Sequence, residues 1–550
     1  MVKRTSPDQP HTISKREFLE GCAAFGGVSA VMTALNGLDM GIASAAEAPP
    51  NLMGSPKKGS KVLILGAGLA GMTAAYELGL RGYDCKIIEA RPFAGGRCQS
   101  SRAGFTTTTV DGEKRTCDFD EGQYFNHGPW RLPSFHHAVF HYIRKFGVPI
   151  EIMVQENDLG YVQYDNANGP LGGKRVRKRE IKADMRGYTS ELLAKLTNQG
   201  ALDEQLTNRD REKLTDYLIR EGFLDAKDLS YKGTIHRGIT EFNAMGTIDP
   251  IDPMGSSERP VNNVMSASKA FAFKEILQSG LGNSFQGVTT IDHPATMYQA
   301  VGGMDQIARG FERAVGEKIT FDAEVLELKQ SEDNVAVTYR DNKSGETRVE
   351  NANFCITTIP LGILSKLKTD LSDQCKEAMV APRKMTVGKL ALQMNRRFWE
   401  EDDNIYGGSS TLGIPGHTVI YPSYGYCGKK GIIQSAYTFG RAAVVHGKLS
   451  MKQKVEQAIK RSERIHPGQF SKHYDNKAFS IDWHLTRFSE AGWAAWAPSD
   501  RAKHMPVLRA PQGRIYFAGD HVSGLPGWQV GAIESAWTQI EKIHARAMKA

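Results

Sequence analysis

Three glycines and a carboxylate, spaced as Gly66-Ala-Gly68-Leu-Ala-Gly71 with Glu89 18 residues after Gly71, are the first groups in this chain with an evident chemical use. A glycine at the first position permits a tight turn, one at the second lets backbone approach a pyrophosphate, and one at the third lets helix pack on strand. An acid about 20 residues further on binds ribose hydroxyls. Such groups work only if elements hold them. The apolar run Lys61–Leu65 predicts a buried parallel strand, Met72 to Leu80 a helix, and Cys85 to Ile88 a second strand ending at Glu89. In that order they place an anionic dinucleotide on the helix N-terminus. Glycines in an ordinary tight turn are the alternative, but they leave the acid and second strand unexplained.

The stretch that follows, Ala90-Arg91-Pro-Phe-Ala-Gly95-Gly96-Arg97, resembles the second glycine motif of the flavin-containing amine oxidase family. The resemblance implies FAD, with Ala90, Arg91, Gly96 and Arg97 near its phosphates and ring, where a diphosphate needs backbone donors and a cation. The C-terminal segment is similar to the family's closing motif: a strand over Arg514 to Ala518, then Gly519-Asp520, then a small-residue helix opening at Gly527-Trp528-Gln529-Val530. It implies an acid on the ribityl chain and a helix N-terminus aimed at the flavin ring. Val325, in Asp322 to Leu328, would meet the adenine through its backbone, and Ala70 belongs to the first phosphate turn.

The run Gly128-Pro129-Trp130-Arg131-Leu132-Pro133, with the helix-compatible residues after it, resembles the corresponding region of L-amino acid oxidases within that family. There an arginine clamps the substrate carboxylate, a bidentate geometry that guanidinium fits better than ammonium. Arg131 takes that role here by resemblance, while Gly128, Pro129 and Trp130 approach the flavin. Monoamine and polyamine oxidases need no such clamp. By the same resemblance Lys389 holds a water beside flavin N5, and Tyr421 gives the second carboxylate hydrogen bond. Read alone, Lys389 is a strand-edge lysine and Tyr421 a packed aromatic. Trp493 and Trp528 would wall the pocket, with core packing the alternative for each. The histidines at 136, 137, 141, 236 and 293 are candidates for a general base, and the motif selects none.

Together these imply oxidation of an L-amino acid by hydride transfer from the α-carbon to flavin N5, giving 2-oxo acid, ammonia and hydrogen peroxide with oxygen as acceptor. A tryptophan 2-monooxygenase-like decarboxylation and a monoamine or polyamine oxidation are the rival outcomes. The expected architecture is α/β. A discontinuous Rossmann-like FAD-binding domain (60–130, 288–382 and 500–550) is joined to a mixed-sheet substrate domain (131–170 and 383–499) and a helical insertion (171–287) on the entrance side.

The 550 residues exceed one compact core, and 40% hydrophobic with 24% charged residues is an ordinary globular composition. Seven cysteines without a CxxC pair suggest neither disulfide framework nor metal site. The net charge of +8 is concentrated in Lys174 to Arg186, where basic residues exceed acidic by five; this run reads as a solvated helix start rather than an anion- or nucleic-acid-binding surface. Residues 1–46 carry an export-signal layout, with Lys3, Arg4, Lys15 and Arg16 before the uncharged stretch Gly21 to Leu38. Ser14-Lys15-Arg16-Glu17-Phe18-Leu19 resembles the twin-arginine export motif, with lysine in the first arginine's place. A periplasmic or secreted protein handled by export machinery is expected, with cytoplasmic retention or a membrane anchor as alternatives. A homodimer or higher homo-oligomer is also expected.

Overall fold

The computed structural model describes residues 47–165, 167–200, 206–238, 268–285, 293–294, 296–413 and 417–549. The export-signal reading of residues 1–46 lies outside them.

Strand β1 (Lys61–Leu65) leads through helix α1 (Leu69–Gly79) to β2 (Asp84–Ile88). Its apolar side chains are buried, as a parallel strand covered on both faces requires. After α2 (His137–Phe146), α3 (Lys178–Asn198), α4 (Asn208–Gly222) and α5 (Asp305–Val315), the chain re-enters the same sheet as β3 (Ile319–Thr320) and β4 (Phe354–Thr357). Its remaining strand and the helix that covers it come from the far end of the chain, so three stretches build one parallel five-stranded sheet in the order β3-β2-β1-β4 and then Ile515–Phe517.

Between these returns lie β5 (Val387–Met394), β6 (Ser409–Leu412), β7 (Thr418–Ile420), β8 (Gly431–Phe439) and β9 (Tyr474–Asp482). They form a second sheet in the order β9-β5-β8-β7-β6, extended by Tyr161–Gln163 and Val176–Arg177. Its strand pairs are antiparallel except β6 with Tyr161–Gln163, where Thr411 and Leu412 pair in parallel with Val162 and Gln163, so the sheet is mixed. Strand β10 (Ile515–Phe517) then completes the first sheet, and α6 (Gln529–Ala547) packs against α1.

The two faces of the second sheet bury different cores. One carries Leu390, Val419, Tyr421, Ile433 and Ala436; the other carries Val387, Ala391 and Ile432 with Phe119 and Trp483. That separation follows from strand periodicity and decides which side chains can reach a ligand.

The expected helical character of 171–287 is met by α3 and α4, and α4 opens with a capping box at Thr207. The basic run is a helix start that is only partly solvated, with Lys174 and Arg175 exposed and Lys178 buried. Arg175 donates to the Ile465 carbonyl at 2.6 Å, Arg177 lies 3.9 Å from the Tyr161 ring and pairs with Asp403, and Lys178 is buried against Glu156. Part of the positive charge that dominates the sequence here therefore meets internal partners, while Lys182 and Arg186 pair at the surface with Asp158 and Glu221. Val176–Arg177 also joins the second sheet.

Candidate active site

A cavity of about 740 Å³ runs between the two sheets and joins the N-terminus of α1 to the face of β5–β8. At its first end Gly66 has a φ of +105°, which a side chain rarely adopts, and turns the chain out of β1. A Cβ on Gly71 would lie 2.0 Å from the Gly66 carbonyl oxygen, so only glycine lets helix and turn meet. Gly71 therefore shapes the turn from behind and does not line the cavity, whereas Gly66, Gly68 and Ala70 do. A Cβ on Gly68 would meet no protein atom within 4 Å and would project into the open space where a phosphate can approach. Glu89 closes the motif: one oxygen accepts the Ala67 N–H at 2.7 Å and the other the Arg91 N–H at 2.9 Å. Each oxygen keeps a lone pair for a hydroxyl of the ligand.

The second glycine turn lies directly on the first. Gly95 N–H donates to the Ala67 carbonyl at 2.7 Å, and a Cβ on Gly96 would reach Gly68 Cα at 3.2 Å. Ala90, Arg91, Gly96, Arg97 and Val325 all line the cavity. Arg97 pairs with Asp520 and donates to the Gly492 carbonyl at 2.6 Å. Asp520 also accepts the Gly527 N–H at 2.9 Å; burial works against its charge, but Arg97 keeps its carboxyl below the usual range. Gly519, Asp520, Gly527, Trp528 and Gln529 line the wall, and α6 begins at Gln529 with its N-terminus toward the cavity. Val530 is buried one residue inside that helix and does not reach it.

These residues fit a flavin dinucleotide. The turn leaves room for a diphosphate, the acid for a ribose, Arg97–Asp520 for the linker, and the α6 N-terminus for an electron-rich ring.

The other end is made by side chains. Gly128, Pro129, Trp130 and Arg131 line it; a Cβ on Gly128 would lie 2.3 Å from the Arg97 carbonyl oxygen, which locks this segment onto the second glycine turn. The Arg131 guanidinium sits 5.1 Å from the Trp130 ring and 5.7 Å from the Trp528 ring, and donates to Gln155 Oε1 at 3.0 Å. Lys389 and Tyr437 are register partners on β5 and β8, with Nζ 4.7 Å from the tyrosine ring. Lys389 Nζ donates to the carbonyls of Gly128 at 2.6 Å and Asn126 at 3.2 Å. Burial, with Arg131 adding repulsion, brings it down to about 7. Trp493 also lines the cavity.

Tyr421 does not reach the site. Its hydroxyl donates to Ser410 Oγ at 2.7 Å and shares a 2.7 Å bond with His466, which is held by Asp403, all on the far side of the sheet. Thr418 and Ile420 face the cavity, and the period of two turns Val419 and Tyr421 away. The tyrosine that faces Arg131 is Tyr437, followed on the same face by Phe439. Alternation along Tyr437-Thr-Phe439 was the available signal, but a strand sequence does not announce which face carries the ligand. Of the histidines, His293 lines the cavity, and burial with Arg131 nearby lowers it to about 3, a neutral imidazole. His136 packs edge-on to Trp528 outside the cavity wall, and His236 packs on Phe223. None of the described residues within 171–287 lines the cavity.

A family model described as flavin containing amine oxidoreductase matches residues 69–543. An L-amino-acid oxidase of Vipera ammodytes ammodytes is 26% identical over 499 residues, covering 88% of this chain and 92% of the relative. One from Protobothrops flavoviridis is 26% identical over 502 residues, covering 88% of each. Among solved structures, a wild-type putrescine oxidase bound to putrescine superposes with a TM-score of 0.55 at 18% identity, covering 89% of this chain and all of that one. Cyclohexylamine oxidase from Brevibacterium oxydans IH-35A gives 0.55 at 15%, covering 89% and 99%.

Proposed function

Because the chain belongs to the flavin-containing amine oxidoreductases, with FAD as cofactor, we propose that it is an L-amino-acid oxidase. The observation that carries this reading is the Arg131 guanidinium, held between two indole rings at the edge of the cavity with the Tyr437 hydroxyl on the facing strand. Arg131 binds the substrate α-carboxylate by charge-assisted hydrogen bonds, and Tyr437 donates a further one. A substrate without a carboxylate would bring no counter-charge to this guanidinium as it is desolvated.

Bound in this cavity, FAD would supply the two-electron acceptor for the hydride of the α-carbon and the route of those electrons to oxygen. The protein's own work is placement. Two fixed carboxylate contacts leave the α-carbon one orientation, and the surrounding Trp130, Trp493 and Trp528 exclude water. Neutral His293, the positive Arg131 and a Lys389 that exchanges its proton near neutrality all disfavour an ammonium substrate, so the amine is bound neutral, the form that can lose hydride. Water then hydrolyses the released imino acid to 2-oxo acid and ammonia. Folding around FAD before passage across a membrane fits the twin-arginine-like leader.

The test is anaerobic. L-Amino acids should bleach the yellow holoenzyme, D-isomers and putrescine should not, and air should then restore the colour with peroxide and 2-oxo acid. Bleaching by putrescine alone, or an amide as product, would replace this reading.

A further inference from the structure

Beyond Arg131 the cavity ends on a polar wall that the clamp does not use. The face of β6 and β7 presents Ser409 opposite Ile420 and Thr411 opposite Thr418, and Glu156 closes this end. One Glu156 oxygen accepts from Lys178 Nζ at 2.6 Å, and Lys178 also donates to Ser409 Oγ at 3.2 Å. The Lys178 side chain is 3% exposed and lies behind the wall, whereas that of Glu156 is 25% exposed and lines it. Among the described residues nothing bonds the second carboxylate oxygen of Glu156.

The wall therefore offers a free carboxylate oxygen and three hydroxyls that can accept, while the nearby cation is engaged and set back. An apolar substrate side chain would strip water from these groups without replacing its hydrogen bonds. A carboxylate side chain would meet Glu156 directly. A long cationic side chain would lay its stem on Ile420 and place its donors on Glu156 and the hydroxyls. We propose that the cavity, read as that of an L-amino-acid oxidase, selects L-amino acids with a cationic side chain, of the lysine and arginine type, through Glu156.

The proposal rests on the oxidase reading, and a peroxide-coupled assay of the full-length holoenzyme separates the two. For wild type, kcat/KM for L-lysine should exceed that for L-leucine by about 10-fold or more, a difference of about 1.4 kcal/mol. Glu156→Gln, which leaves Lys178 an acceptor, should cut that ratio about 10-fold, chiefly through KM for lysine. Thr418→Val, which leaves the Glu156–Lys178 pair intact, should cut it about threefold; it decides the matter if the first variant fails to retain flavin. A wild-type preference for leucine, phenylalanine or L-glutamate, or a ratio unchanged in the variants, overturns the selectivity while the oxidase reading stands. Absence of peroxide with every L-amino acid, alongside oxidation of a diamine, overturns both.

Discussion

The two ends of the cavity are built on opposite principles. At the dinucleotide end the ligand-facing groups are largely backbone: turns at Gly66–Gly71 and Gly95–Gly96, a helix N-terminus at Gln529, and a carboxylate already bonded to two N–H groups. At the other end the cavity-lining groups are side chains, Arg131, Lys389, Tyr437 and Glu156, brought together from four separate stretches. Backbone recognition is tolerant of side-chain identity but intolerant of a Cβ. Side-chain recognition is the reverse, and depends on which face of a strand each residue occupies. A substitution at the first end should therefore cost the cofactor, and one at the second the substrate.

The largest effect belongs to the first end. Gly71→Val places branched carbons where the Gly66 carbonyl oxygen sits, and the purified protein should lack flavin absorbance altogether; a variant that keeps its yellow colour would break the contrast. Next comes Arg131→Ala, which should retain FAD but raise KM for L-amino acids about 100-fold, the scale of a lost charge-assisted bidentate contact of about 2.7 kcal/mol. An unchanged KM would remove Arg131 from substrate binding.

A paired exchange sharpens the parity argument. Tyr437→Phe should raise KM for L-amino acids about 10-fold with little change in melting temperature. Tyr421→Phe should do the opposite, lowering stability by about 1–3 kcal/mol because Ser410 and His466 lose a buried partner, with KM unaltered. The smallest effect is a pH dependence. Lys389 carries its charge below about pH 7 and loses it above. Electron transfer to oxygen builds negative charge, so a cation in the cavity favours it. The rate of reoxidation by oxygen should fall as pH rises through about 7, and Lys389→Met should flatten that profile.

Legibility in the sequence divided along the same line. Gly66, Gly68, Gly71 and Glu89 could be read because strand, turn, helix and acid are contiguous, and each glycine answers a local steric demand. Asp520 and Gln529 were legible for the same reason. Lys389 was readable as a position, but its burial and its pairing with Tyr437 belong to strands about fifty residues apart. Tyr421 was misread because a resemblance in sequence says nothing about which side of the sheet the side chain faces. The basic run from Lys174 looked solvated because its partners, Glu156, Tyr161, Asp403 and Ile465, are remote in sequence.

By itself, then, the amino-acid sequence determined the dinucleotide-binding turns and the α/β class, because these rest on backbone conformation and on short fixed spacings. The tertiary structure alone decided the other end: that Tyr437 rather than Tyr421 faces Arg131, that Lys389 is buried, and that Glu156 stands in front of Lys178. Register and facing are properties of paired strands, and a one-residue change of parity moves a side chain from ligand to core.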